Sequence, residues 1–162
     1  MNQLLIRGYT LISQANGTDY KFITKDFVTY NAVFGSAGEF FPGTTFAKHV
    51  RLFAIRPAPG STPTPGTDPL IAATLVDIFE LEFLKNKEAV ILYICDDSDK
   101  KELVRLRKFD RVFDNTNIHN TYKKSTFSDK QAAAYGGVIC LSSNPDSREI
   151  IYAAQHIPDL FA

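Results

Sequence analysis

Three aspartates, Asp96, Asp97 and Asp99, crowd one short stretch of the chain directly after an apolar run. Carboxylates at a strand end lie where open sheets often bind ligands, and their oxygens suit Mg²⁺ or Ca²⁺. A simpler assignment competes. Asp99 and Glu102 have the spacing of a capping box, and negative charge is favourable at the start of a helix. Counting from Asp96, the sixth position is Lys101, where an EF-hand loop needs glycine. No metal is assigned. Just downstream, Lys100, Lys101, Arg105, Arg107, Lys108 and Arg111 outnumber Glu102 and Asp110, an excess of four positive charges within twelve residues. Arginine forks can hold a phosphate or a carboxylate. Helical spacing puts Lys101, Arg105 and Lys108 on one face and Arg107 and Arg111 on another, which divides the charge. The ligand-binding candidates are Asp96, Asp97, Asp99, Arg105 and Arg107, and the expected occupant is a protein partner or a small anionic ligand.

Other reactive side chains offer less. His49, His119 and His156 are far apart and lack the H-x-x-x-H or H-E-x-x-H spacing of metal sites. Cys95 and Cys140 sit in the apolar runs VILYIC and GGVIC, which predicts reduced, buried thiols. Two aspartates follow Cys95 and would raise a thiol pKa, so it makes a poor nucleophile. The serines of GST and SSNPDS lack an elbow motif. No catalytic residue and no cofactor are assigned.

Composition narrows the function classes. The 162 residues carry 18 basic and 18 acidic side chains, so no global field favours nucleic acid or an anionic membrane. Nucleic-acid binding through the Lys100 to Arg111 helix would be a local effect with steep salt dependence. The first ten residues, MNQLLIRGYT, lack a signal-peptide core, and no later run reaches membrane-spanning length. The expectation is a cytoplasmic protein with residues 1–162 forming a single domain. At 44% hydrophobic content with 20 aromatic residues (13 Phe and 7 Tyr), a sizeable core needs no staples.

These residues need elements to position them. From Tyr9 to Phe34 the pattern has period two, with a strong turn signal at Asn16-Gly17, and predicts an antiparallel meander. KHVRLFAIRP predicts a fourth strand, and the Pro- and Gly-rich stretch 58–69 interrupts regular structure. A helix should start at Asp68-Pro69, with Asp as N-cap and Pro at the first position, and run through LIAATLVDIFELEFLKN. Ile71, Leu75, Ile78 and Phe79 form its apolar stripe, with Asp77 and Glu80 on the wetter side and Glu82 a poor fit on the stripe. AVILYIC, 89–95, is continuously apolar and predicts the central strand, covered on both faces. KKELVRLRKFDRVF predicts a second helix, TYKKSTF and YGGVICLS two strands, and Asn144-Pro145-Asp146 the start of a terminal helix. The fold class is α+β, a mixed, mostly antiparallel sheet with helices packed on it in the order ββββ-α-β-α-ββ-α.

Over roughly residues 9–143 that order resembles the GCN5-related N-acetyltransferase fold. The resemblance implies a cofactor loop, R/Q-x-x-G-x-G/A, whose N–H groups cradle the acetyl-CoA pyrophosphate at a helix start. Here the segment is RPAPGSTPTPGTDPL: Gly60 and Gly66 stand six apart and Asp68 brings negative charge to the phosphate position. Where the family has a general-acid Tyr and, further on, a Gly before Phe, this chain has Val104 and Lys108 ahead of Phe109. Both signatures are missing, which points to a non-catalytic, acetyltransferase-like binding domain; the alternative is a divergent acyl-CoA-dependent N-acyltransferase with an open V-shaped cleft beside strand 89–95. The chain is also similar to an uncharacterised family of bacterial domains of unknown function, found mainly in Bacteroidota. Asp68, Thr74 and Phe79 carry that likeness on the first helix. Tyr93, Ile94, Cys95 and Asp96 carry it at the strand end, and Arg105, Arg107 and Phe109 on the second helix.

Overall fold

The computed structural model describes residues 6–63, 68–96, 102–116, 120–129 and 134–157. The strands are β1 (Ile12–Ser13), β2 (Tyr20–Ile23), β3 (Thr29–Ser36), β4 (Val50–Pro57), β5 (Val90–Asp96), β6 (Tyr122–Asp129) and β7 (Ala134–Leu141). The helices are α1 (Pro69–Lys85), between β4 and β5, α2 (Glu102–Thr116), between β5 and β6, and α3 (Ser147–Ala154), after β7. The fold is mixed α+β. Among the described residues the strands form one seven-stranded sheet in the order β1-β2-β3-β4-β5-β7-β6, antiparallel except for the β4–β5 pair. The crossover through α1 gives that parallel pair, since parallel neighbours need a long connection.

Alternation along β5 assigns the two faces. Ile91 and Tyr93 enter an aromatic-rich core with α1 and α2, while Val90 and Leu92 enter a second core with Phe41, Phe46, Ile150 and Ile157. Residues 90–93 of β5 are all buried, as a strand covered on both faces requires. Both glycines of β7 face this strand. A side chain at Gly136 would collide with the Tyr93 carbonyl, and one at Gly137 with the Tyr93 ring and hydroxyl.

The β4–β5 ladder runs from Val50↔Val90 to Phe53↔Tyr93 and stops there, although β4 continues to Pro57 and β5 to Asp96. The strands part towards their carboxyl ends. On the face covered by α1 and α2, aromatic rings bridge them: Phe53 lies 4.9 Å from Phe79 of α1, Phe79 lies 5.4 Å from Phe109 of α2, and Phe109 lies 5.4 Å from Tyr93. Edge-to-face pairs of this kind contribute about 0.5–1.5 kcal/mol each beyond their buried area.

The meander differs from its expected form at the start. Tyr9 to Leu11 are not strand, because the chain there is drawn onto α1, and β1 keeps only two residues. The solvation expected for Asp77 is also corrected. Asp77 is 1% exposed, whereas its neighbour Glu80 stays half-buried. Glu82, a poor fit on the apolar stripe, is accommodated by bonds from the Tyr20 hydroxyl at 3.0 Å and Lys85 Nζ at 3.1 Å. Among the described residues, no helix is long and apolar enough to cross a membrane.

Candidate functional site

Strands β2, β4, β5 and β6 run in the same direction, so their carboxyl ends share one end of the sheet with the first turns of α1 and α2. Open sheets place ligands at such an end; of the ligand-binding candidates from the sequence, Asp96 lies at it, and Arg105 and Arg107 lie on the helix that leaves it. Asp96 is the last residue of β5, in register with Ala134. Arg105 lies on α2, and Arg107 on the same helix is exposed. Asp97 and Asp99 lie outside the described residues.

At the first turn of α1 the chemistry is closed by the protein's own groups. Asp68, the N-cap, accepts from the Leu70 N–H at 2.9 Å through one oxygen and from the Tyr9 hydroxyl through the other. The Tyr9 oxygen in turn accepts the Lys25 N–H at 3.2 Å. Burial and the hydrogen bond to Asp68 both raise the Tyr9 pKa, so the phenol holds its proton and remains a donor.

Behind this latch a strap, Arg7-Gly8-Tyr9, is seated along α1. One oxygen of the buried Asp77 carboxylate accepts the backbone N–H groups of Arg7 and Gly8, both at 2.9 Å. Arg7 Nη1 reaches its other oxygen at 3.3 Å and Glu80 at 2.9 Å. The Glu80 hydrogen bond is the leading cause of the raised Arg7 pKa. Thr74 Oγ1 accepts the Tyr9 N–H at 2.8 Å and donates to the Leu70 carbonyl at 2.6 Å. A side chain on Gly8 would collide with Thr74 itself, so only glycine brings the strap this close. Thr74 and Asp77, two polar residues in the predicted helix, were the trace of this arrangement in the sequence, because nothing local indicates which distant backbone they serve.

A second polar group lies on α2. Asp110 Oδ1 accepts from the Tyr93 hydroxyl at 3.3 Å and from Lys124 Nζ of β6 at 3.1 Å, and Lys124 also reaches Asp114 at 2.9 Å. Its ammonium sits 5.2 Å from the centre of the Phe113 ring. At the opposite end of the sheet, an open depression of about 430 Å³ is lined by Asn16, Asp19, Asn31 and Val33. Its polar groups are engaged locally, since Asn16 Oδ1 accepts the N–H groups of Thr18 and Asp19. The depression is remote from the residues that the sequence singles out.

Residues 67–156, more than half of the chain, match the model of a family of unknown function (DUF6169). The chain belongs to that family. No curated protein matches it. The family segment opens just ahead of the α1 cap and ends beyond α3, so it contains Asp68, Thr74 and Asp77, which hold the strap, but not the strap. It also holds Phe79, Tyr93, Phe109 and Asp110, which join α1, β5 and α2. Cys140, within the same segment, is a free, buried thiol whose pKa burial pushes up to about 11.

Proposed function

We propose that this chain is a non-catalytic, acetyltransferase-like domain that binds a protein partner or a small anionic ligand at the carboxyl ends of its strands. The observation that carries the reading is the closed first turn of α1. In the GCN5-related fold that turn receives the cofactor pyrophosphate on free N–H groups. Here Asp68 occupies the turn with a carboxylate, and Tyr9 closes over the carboxylate. A phosphate approaching it meets negative charge and fewer free donors. The likeness to that fold is supported by the strand order and by the single parallel pair around α1. Asp96, Asp97, Asp99, Arg105 and Arg107 are the proposed ligand residues. The reading also takes residues 1–162 as one domain, working in the cytoplasm of a bacterium, with Bacteroidota the expected source.

Isothermal titration of the full chain with acetyl-CoA and with inorganic pyrophosphate tests this. The expected result is no heat of acetyl-CoA binding, and saturable binding accompanied by turnover of an amine substrate overturns it. Pyrophosphate binding that is lost in Arg107→Ala would identify the small-anion branch of the proposal.

One observation favours the alternative, a divergent acyl-CoA-dependent N-acyltransferase. The β4–β5 ladder ends at Phe53 and Tyr93 while both strands continue, so the strands separate as an acyl-pantetheine channel would require. Acetyl-CoA titration separates the two readings directly.

A further inference from the structure

We infer that the open face of β1 to β4 is a docking surface for an acidic amphipathic helix of a partner protein. The two faces of the sheet are covered unequally. α1 and α2 lie over one, where Tyr20, Phe22, Ala32, Phe34 and Phe53 enter the aromatic-rich core. On the other, α3 lies over β6 and β7, and the second core reaches only as far as Val50 and Leu52 of β4. Alternation turns Lys21 and Ile23 of β2, Asn31 and Val33 of β3, and Ala54 and Arg56 of β4 to that second face, beyond its core. Ile12 of β1 joins them in register with Lys21. Neither core includes Ile12, Ile23, Val33 or Ala54, and the two isoleucines are each 47% exposed.

Charge selects the occupant. The register aligns Lys21, Asn31 and Arg56 in one row across β2, β3 and β4. Among the described residues neither cation of that row has an ion pair. By contrast Arg7, Lys85 and Lys124, which lie against α1 and α2 or on them, are each paired with a carboxylate of those helices. Asp19, just ahead of β2, does not serve the row. Its carboxylate accepts from the Asn16 amide at 2.7 Å and from the Phe34 N–H at 3.2 Å.

The dimensions suit one helix. Lys21 and Arg56 stand two strands apart, roughly 10 Å, with β3 between them, and the four strands together span about 14 Å. A helix of about 10 Å diameter lying along β3 fills that width. Its apolar stripe would cover Ile23 and Val33, and carboxylates on its two flanks would reach Lys21 on one side and Arg56 on the other. The partner helix thus completes on this face the cover that α3 begins over β6 and β7, and a basic helix of the same shape meets two unpaired cations.

Fluorescence anisotropy of the full chain with two labelled synthetic helices is the test. Each is about fourteen residues long with the same leucine stripe, one flanked by glutamates and the other by lysines. The expected result is saturable binding of the acidic peptide at roughly 10–100 μM, as for a small interface, and none of the basic one. Lys21→Glu together with Arg56→Glu should weaken the acidic peptide by about tenfold or more and confer binding of the basic one. Ile23→Thr keeps the branched Cβ that a strand favours and should weaken the acidic peptide several-fold. Far-UV circular dichroism follows the fold of each variant, and if the double charge reversal unfolds, Arg56→Glu at its exposed position decides alone. No binding of the acidic peptide, equal binding of both peptides, or binding indifferent to the charge reversal overturns the inference. So does a dimer of the chain that Ile23→Thr dissociates, which would give the face to a second copy.

Discussion

The two helices that leave the carboxyl end of the sheet are anchored by carboxylates in very different surroundings. Asp77 of α1 is 1% exposed and receives two backbone N–H groups and a guanidinium from a strap about seventy residues earlier in the chain. Asp110 of α2 has a side chain 24% exposed and shares Lys124 with the largely solvated Asp114. The first carboxylate has exchanged water for a fixed set of protein donors. The second keeps water in reserve. A buried charge is costly to strip of its partners, whereas an exposed one is re-solvated, so similar-looking bonds should differ several-fold in energetic consequence.

Removing the acceptor from α1 gives the largest expected effect. Asp77→Ala leaves the Arg7 guanidinium and two strap N–H groups without their shared carboxylate, and should cost about 3–5 kcal/mol. Urea denaturation measures it, and a loss under about 1 kcal/mol would remove the distinction between the two anchors. Gly8→Ala comes next at about 1–3 kcal/mol, because the new methyl must displace the strap or Thr74. Hydrogen exchange at the Tyr9 and Gly8 amides should accelerate in this variant, and unchanged protection would show that the seat is looser than described.

Alkaline pH probes the strap side of the core by a separate route. Burial pushes the Tyr122 phenol up to about 12, and the nearby Glu80 charge adds to the rise. The folded chain therefore keeps this proton in a range where the unfolded chain, with a phenol near pH 10, has lost it. The stability from Tyr122 is whole below about pH 10 and is lost as the pH climbs towards about 12. Tyr122→Phe should flatten part of the fall in urea midpoint across that window; an identical fall in both proteins would assign it to other groups.

The smallest effect belongs to the open anchor. Lys124→Met keeps the contact with Phe113 and leaves Asp110 bonded to the Tyr93 hydroxyl, at a cost below about 1 kcal/mol. A loss comparable to that of Asp77→Ala would erase the contrast.

Much of this architecture was legible in the residues. Asp68-Pro69 gave the start of α1 because capping and fixed φ act locally, and the unbroken run 89–95 gave β5 as a strand covered on both faces because such cover leaves no polar alternation, although the middle of the sheet is its neighbour β4. The meander was legible in its turns but not in its first strand, since Tyr9 obeys Thr74 and Asp68 rather than its neighbours. Asp77 was misjudged for the same reason: a carboxylate in a helix signals solvent unless its distant partners are known. Of the candidate ligand residues, the sequence placed Arg105 and Arg107 on the second helix, where they lie, and Asp96 in a turn one residue beyond the strand that it closes, because a strand end and a helix are local features. Convergence on a ligand depends on long-range geometry that spacing does not encode.

The strap has a consequence for the order in which the protein is made. Arg7, Gly8 and Tyr9 precede their acceptors on α1 and its cap by 59 to 73 residues. At a synthesis rate of roughly 5–20 residues per second, they wait several seconds for those acceptors to be made. The meander can form in that interval, but the segment ahead of it has nowhere to dock. A chain arrested before Asp77 would leave the strap undocked, and completion of α1 would secure it only after the whole meander that follows it had been made.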